Sequence, residues 1–155
     1  MSFDLSALAH QTLFGAIAAI GFGVLFNFHW RAMPWVGLAG ALALAARTLG
    51  LDLGWSLEGA TFVAAATTAG AARLIRLAFG IRSQALAVAG CIPMVPGAYA
   101  AQTIFALFAL TAPHAADPSG DAATALVYLF RVAFTLGAIG AGLAIVDHAL
   151  GVDER

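Results

Sequence analysis

Two stretches of this chain carry no formal charge. No Asp, Glu, Lys or Arg falls between residues 5 and 30, nor between Ser83 and Ala116. About 20 apolar residues suffice to cross a bilayer as a helix. Of the 155 residues, 62% are hydrophobic and 10% charged, where a soluble domain carries about 25% charged residues. The expected fold class is therefore an all-α integral membrane protein. We read one transmembrane domain over residues 1–155, with about five transmembrane helices. Net charge is -1 with no basic cluster, so nothing points to nucleic acid. Cys91 is the single cysteine and has no partner for an intrachain disulfide. Met1-Ser2-Phe3-Asp4 lacks the basic region of a signal peptide, and the apolar run after it is too long for one. That run reads as a true first span.

The spans follow from the apolar runs between polar residues, at about 8–28, 34–51, 55–72, 83–111 and 122–146. In the first, Gly15, Ala19 and Gly23 recur every four residues, a face that lets another helix approach closely. Asn27 is expected to cap its end, and Trp30 and Arg31 suit a membrane interface. Pro34 fits a helix start. Arg47 near the end of span two and Glu58 near the start of span three flank one short loop. They read as an ion pair or, more sharply, as a site coupled to a proton or substrate. Arg73, Arg76 and Arg82 are assigned to the next loop, and Pro113 to Asp121 to an acidic one. Gly137, Gly140, Ala141 and Gly142 give span five a second small-residue face. The positive-inside rule then puts the Arg31 and Arg73–Arg82 turns in the cytoplasm, the N-terminus outside and the C-terminus inside.

Span four is the unusual one. It contains Ile92-Pro93-Met94-Val95-Pro96-Gly97, and this Pro-x-x-Pro-Gly element cannot continue a helix. Each proline removes a backbone donor and clashes with the carbonyl four residues back, while glycine permits angles that other residues avoid. Irregular backbone at membrane depth is tolerated only where protein buries it or where it lines a polar cavity. The element is thus either a packing kink or a site. Pro93 lies ten residues into its span, about 15 Å at the helical rise. Arg131 lies nine residues into span five, about 13–14 Å deep by the same rise. Both depths approach the midplane of a core about 30 Å thick. A helix restarting after Gly97 would offer free N–H groups and a positive dipole end. With Arg131 these form a candidate carboxylate site, and Tyr99, Gln102 and Thr103 follow on the first turns. The bland alternative has Arg131 capping carbonyls freed at the break or facing a partner subunit.

The remaining polar residues carry less. Thr67 and Thr68 are expected to bond their own helix, and Cys91 reads as packing. His10, His29, His114 and His148 are scattered without metal-ligand spacing. No nucleophile triad, paired intramembrane carboxylates or phosphate-binding glycine loop is present. An enzyme, a metal or a cofactor is therefore not expected.

Several of these motifs fall in a familiar order. They are Gly21-Phe22-Gly23-Val24-Leu25-Phe26-Asn27, the Trp30-Arg31 segment, the Gly/Ala-rich second span with Arg47, Trp55-Ser56, and Ile92 to Gly97. In that order they resemble the threonine/serine exporter family, and most closely its small integral membrane subunit of the split type, associated with bacterial succinate export. The resemblance runs to about residue 110 and leaves Arg131 outside it. It implies an inner-membrane exporter of small carboxylates: threonine, serine or a dicarboxylate such as succinate. It also implies a larger partner subunit of the same family. Non-transporting assembly subunits and homo-oligomeric pores are the alternative classes. On the leading reading, Pro93, Pro96, Gly97, Tyr99 and Gln102 shape the substrate path and Arg131 or Arg47 supplies charge, while Asn27, Glu58, Gly15 and Gly23 are structural.

Overall fold

The computed structural model of the chain describes residues 5–111 and 118–149. Among them are six α-helices and no strand: α1 (Leu5–Leu25), α2 (Met33–Asp52), α3 (Leu57–Phe79), α4 (Ser83–Cys91), α5 (Gly97–Thr111) and α6 (Pro118–Ala149). Short 3-10 turns at Trp30–Ala32 and Ile92–Met94 precede α2 and follow α4. Four segments are long and apolar enough to cross a membrane: α1, Trp30–Asp52, α3 and Ser119–Ala149. The broken pair Gln84–Met94 and Gly97–Thr111 makes a fifth if it counts as one span. The chain is thus an all-α membrane protein with its fourth span interrupted at the Pro-Gly element. Met1–Asp4, His114 and Asp117 of the predicted acidic loop, and residues 150–155 lie outside the described residues.

The helices fall into two compact units, Met1–Met94 with Ala138–Arg155, and Val95–Gly137. In the first, α2 is the central helix and packs on α1, α3 and α4. Small residues allow this. A methyl group at Gly15 would stand 2.6 Å from the Gly40 carbonyl oxygen of α2, so the two backbones touch. Gly15, Ala19 and Gly23 are the buried residues of α1. Val36, Leu86 and Met94 are the larger side chains of this alanine-rich core. In the second unit, α5 and the first part of α6 run antiparallel. Tyr99 stacks on Tyr128 with ring centroids 5.6 Å apart. Further along, Leu107 and Leu110 face Ala122 and Leu126 across an apolar cavity of about 290 Å³.

Left-handed residues end the helices. Asn27 has φ 56 and is the one described non-glycine residue with positive φ. Its N–H donates to Val24 O at 3.0 Å and that of Phe28 to Gly23 O at 2.9 Å. This is the Schellman arrangement, which satisfies the last carbonyls of α1. Gly54, with φ 83, closes α2 in the same way, Trp55 N–H donating to Gly50 O at 3.0 Å.

Three expectations change. Arg73 and Arg76 are not in a loop: they lie in the last turns of α3. The sequence from Ala71 to Phe79 holds good helix formers, and the first breaker is Gly80, the left-handed C-cap. Residues Pro118 to Asp121 form the first turn of α6 rather than a loop; proline is tolerated at a helix start, where its N–H is not needed. Finally, Gly97 is not among the residues with positive φ, so its backbone angles are ones that other residues adopt. The proline ring alone interrupts the ladder here.

Candidate functional site

At the end of α4 the chain turns through Ile92–Met94 and restarts as α5 at Gly97. The prolines explain the gap. Pro93 cannot donate to the carbonyl of Ala89, nor Pro96 to that of Ile92. Gly97 N–H folds back to Val95 O at 2.8 Å, and Ala100 N–H reaches Pro96 O at 3.1 Å. The Met94 carbonyl takes a donor from elsewhere: Arg47 Nη1 donates to it at 3.0 Å. Arg47 sits near the end of α2, and its guanidinium substitutes at the break for a backbone N–H. Met94 is fully buried, where an unmet carbonyl would cost about 1–3 kcal/mol. The cation predicted for Glu58 or for substrate is therefore engaged with the break itself. Glu58 stands in the first turn of α3, at the positive end of that helix dipole. Ser56 caps the same turn, its Oγ accepting from Gly59 N–H at 3.1 Å. Pro93 is half-buried, Pro96 buried and Gly97 exposed, with open space on the side where a Cβ would project.

In the second unit, Arg131 and Tyr99 meet. The Arg131 guanidinium carbon lies 5.5 Å from the Tyr99 ring centroid, within range for a cation–π contact. Tyr99 lies in the first turn of α5 and Arg131 near the middle of α6. Together with Tyr128, Thr124, Ala123 and Val127 they line a cavity of about 500 Å³. The lining holds one cation and no acid. Two phenols and the Thr124 hydroxyl add hydrogen-bonding groups. Such a set is chemically able to hold a carboxylate at the guanidinium, to offer ring faces to a cationic group beside it, and to leave apolar walls for a short side chain. Gln102 is exposed on α5 and does not line this cavity. Thr103 is buried and donates to Tyr99 O at 2.9 Å.

Sequence reasoning missed Tyr128 and Thr124. Spacing is the signal that identifies them. Between Ala122 and Val146 the polar side chains are Thr124, Tyr128, Arg131 and Thr135. They follow the i, i+4, i+7, i+11 rhythm of a single helix face.

The other candidates are structural in their contacts. Thr67 and Thr68 donate to Val63 O and Ala64 O, at 2.7 and 2.8 Å. Cys91 is buried. Among the described residues, no three His, Cys, Asp or Glu side chains are grouped to hold a metal ion.

In comparison with known proteins, the model of one family, described as threonine/serine exporter (ThrE), matches residues 11–149. The match continues through α6 and takes in position 131, past residue 110, where the motif resemblance weakens. No solved structure matches the chain.

Proposed function

The chain belongs to the threonine/serine exporter family, a family of membrane transporters rather than enzymes, and from that premise we propose that it is one subunit of an inner-membrane exporter of small carboxylates. A larger subunit of the same family completes the transporter. Threonine and serine are the favoured substrates over a dicarboxylate such as succinate. The carrying observation is the 500 Å³ cavity with its single cation, Arg131, beside Tyr99 and Tyr128. A carboxylate pairs with the guanidinium. The ammonium group of an amino acid takes an aromatic face, whereas the second carboxylate of succinate would find no cation in this lining. Pro93, Pro96 and Gly97 shape the path by starting α5 where they do. Arg47 holds that break through Met94 instead of supplying charge to the substrate.

The exposure of Arg131 supports the partner. The residue is exposed on α6 of the isolated chain, and an arginine facing lipid near the helix centre costs at least about 2.5–3.5 kcal/mol. A second chain or a water-filled path over that face removes the cost. The turns bearing Arg31, Arg73, Arg76 and Arg82 lie in the cytoplasm, by the positive-inside rule. The N-terminus is outside.

Efflux of labelled threonine and labelled succinate from cells lacking their own exporters tests this reading. The chain is expressed alone and with the larger subunit. Threonine efflux that needs both chains, and falls in Arg131→Gln at unchanged membrane abundance, is the expected result. Efflux from this chain alone would favour a homo-oligomeric pore. Loss of the larger chain from the membrane in Arg131→Gln would favour an assembly role. With both chains in the membrane, movement of neither substrate would overturn the exporter reading.

A further inference from the structure

The polar face of α6 extends one turn beyond the cavity. Thr124, Tyr128 and Arg131 line it, and Thr135, next on the same face, does not. Thr135 is fully buried, and among the described residues its hydroxyl has no hydrogen-bond partner. Five other helical threonines behave differently. Thr12, Thr61, Thr67, Thr68 and Thr103 each donate to the carbonyl four residues back, at 2.6–2.9 Å. The corresponding acceptor for Thr135 would be the Arg131 carbonyl, and it is not used. Valine would fill almost the same volume without an unmet polar atom, so packing alone gives no reason for a hydroxyl here. A transporter gives one.

We propose that Thr135 is a second substrate-binding position, one helical turn from Arg131, closed in the state seen here. The inference rests on the Arg131 site. The four residues from Arg131 to Thr135 span a rise of about 6 Å, the scale of a small amino acid. A substrate held by its carboxylate at Arg131 therefore brings its other polar groups within reach of Thr135 as it moves along the face. The hydroxyl accepts from an ammonium or hydroxyl group of the substrate, or donates to its carboxylate, when that part of α6 opens. In the closed state it waits without a partner.

The test uses Thr135→Val and Thr135→Ser in the exporter co-expressed with its larger subunit, with Arg131→Gln alongside. Thr135→Val is expected to reach the membrane in normal amount and to melt no lower than the parent. Its maximal threonine efflux should fall about ten-fold, the equivalent of one hydrogen bond, with KM unchanged. Thr135→Ser keeps the hydroxyl and should restore efflux. Wild-type efflux in Thr135→Val overturns the proposal; so does a lowered melting temperature, which would make the hydroxyl structural. The control separates the two readings. If Arg131→Gln loses efflux and Thr135→Val does not, only the second position fails. If both variants transport normally, the Arg131 site fails with it.

Discussion

Asn27 shows how closely one side chain can be tied to one backbone angle. At φ 56 a residue with a Cβ sits in the left-handed region, where most residues lose about 1–2 kcal/mol and asparagine loses less. Both hydrogen bonds of the α1 terminus depend on that angle. Asn27→Gly should therefore leave unfolding in detergent unchanged or slightly delayed, and efflux normal. Asn27→Val should unfold at clearly lower denaturant, because its branched Cβ cannot take the angle without strain. Equal stability of the two would show that the angle does not hold the helix end. Normal stability with lost efflux in Asn27→Gly would make the amide a transport residue. The role of Asn27 as a terminus was legible in the sequence, since asparagine after an apolar run is a stop signal. The partner of Arg47 was not. Met94 is 47 residues away along the chain, and only tertiary packing brings its carbonyl to the guanidinium. Glu58, by contrast, is near in sequence and looked the better partner.

At the scale of the helix, position in sequence and position in packing separate. Gly137, Gly140 and Gly142 read as one small-residue face, yet their surroundings differ. A methyl at Gly142 would stand 2.7 Å from the Phe62 carbonyl oxygen of α3, while those at Gly137 and Gly140 would meet nothing within 4 Å. Opposite signs follow within one helix. Gly142→Ala should lower the melting temperature, since one backbone or the other must shift. Gly137→Ala and Gly140→Ala should each stabilise α6 by about 1 kcal/mol, the ordinary advantage of alanine in a helix interior. Melting curves of the three single variants in detergent decide it; three losses would mean that the open faces are packed. The break in span four obeys the same logic. Its existence was legible, because two prolines cannot be hidden inside a helix. The donor that completes it was not, because α2 supplies it from outside the local sequence. A test is direct: Arg47→Leu removes the side-chain donor to the buried Met94 carbonyl and should cost about 1–3 kcal/mol, with Arg47→Lys losing less. Unchanged melting in Arg47→Leu would remove Arg47 from the break.

For the whole molecule, the question is whether the broken fourth span crosses the bilayer. If it crosses, the segment before α6 faces the side opposite Arg31, Arg73, Arg76 and Arg82, and the end of α6 returns to the arginine side. If it re-enters, both ends of α6 exchange sides. Length favours crossing: Ser83 to Thr111 is 29 residues, about 43 Å if helical throughout, against a hydrocarbon core about 30 Å thick. Charge favours it too. Residues 113–121 contain Asp117 and Asp121 but no Lys or Arg, whereas cations mark the retained side. Helix α6, with 32 residues, is long enough to cross in either orientation and does not discriminate. Single cysteines placed at Arg76, Asp121 and His148, in a Cys91→Ala background, give the answer with a membrane-impermeant thiol reagent added to intact cells. Crossing predicts labelling at position 121 and protection at 76 and 148 until the membrane is opened. Re-entry predicts the reverse at 121 and 148, with 76 still protected. That second pattern would put the N-terminal end of α6 in the cytoplasm. The order of the α6 face from Thr124 to Thr135 would then run from inside to outside, and Thr135 would lie on the outer side of the Arg131 site.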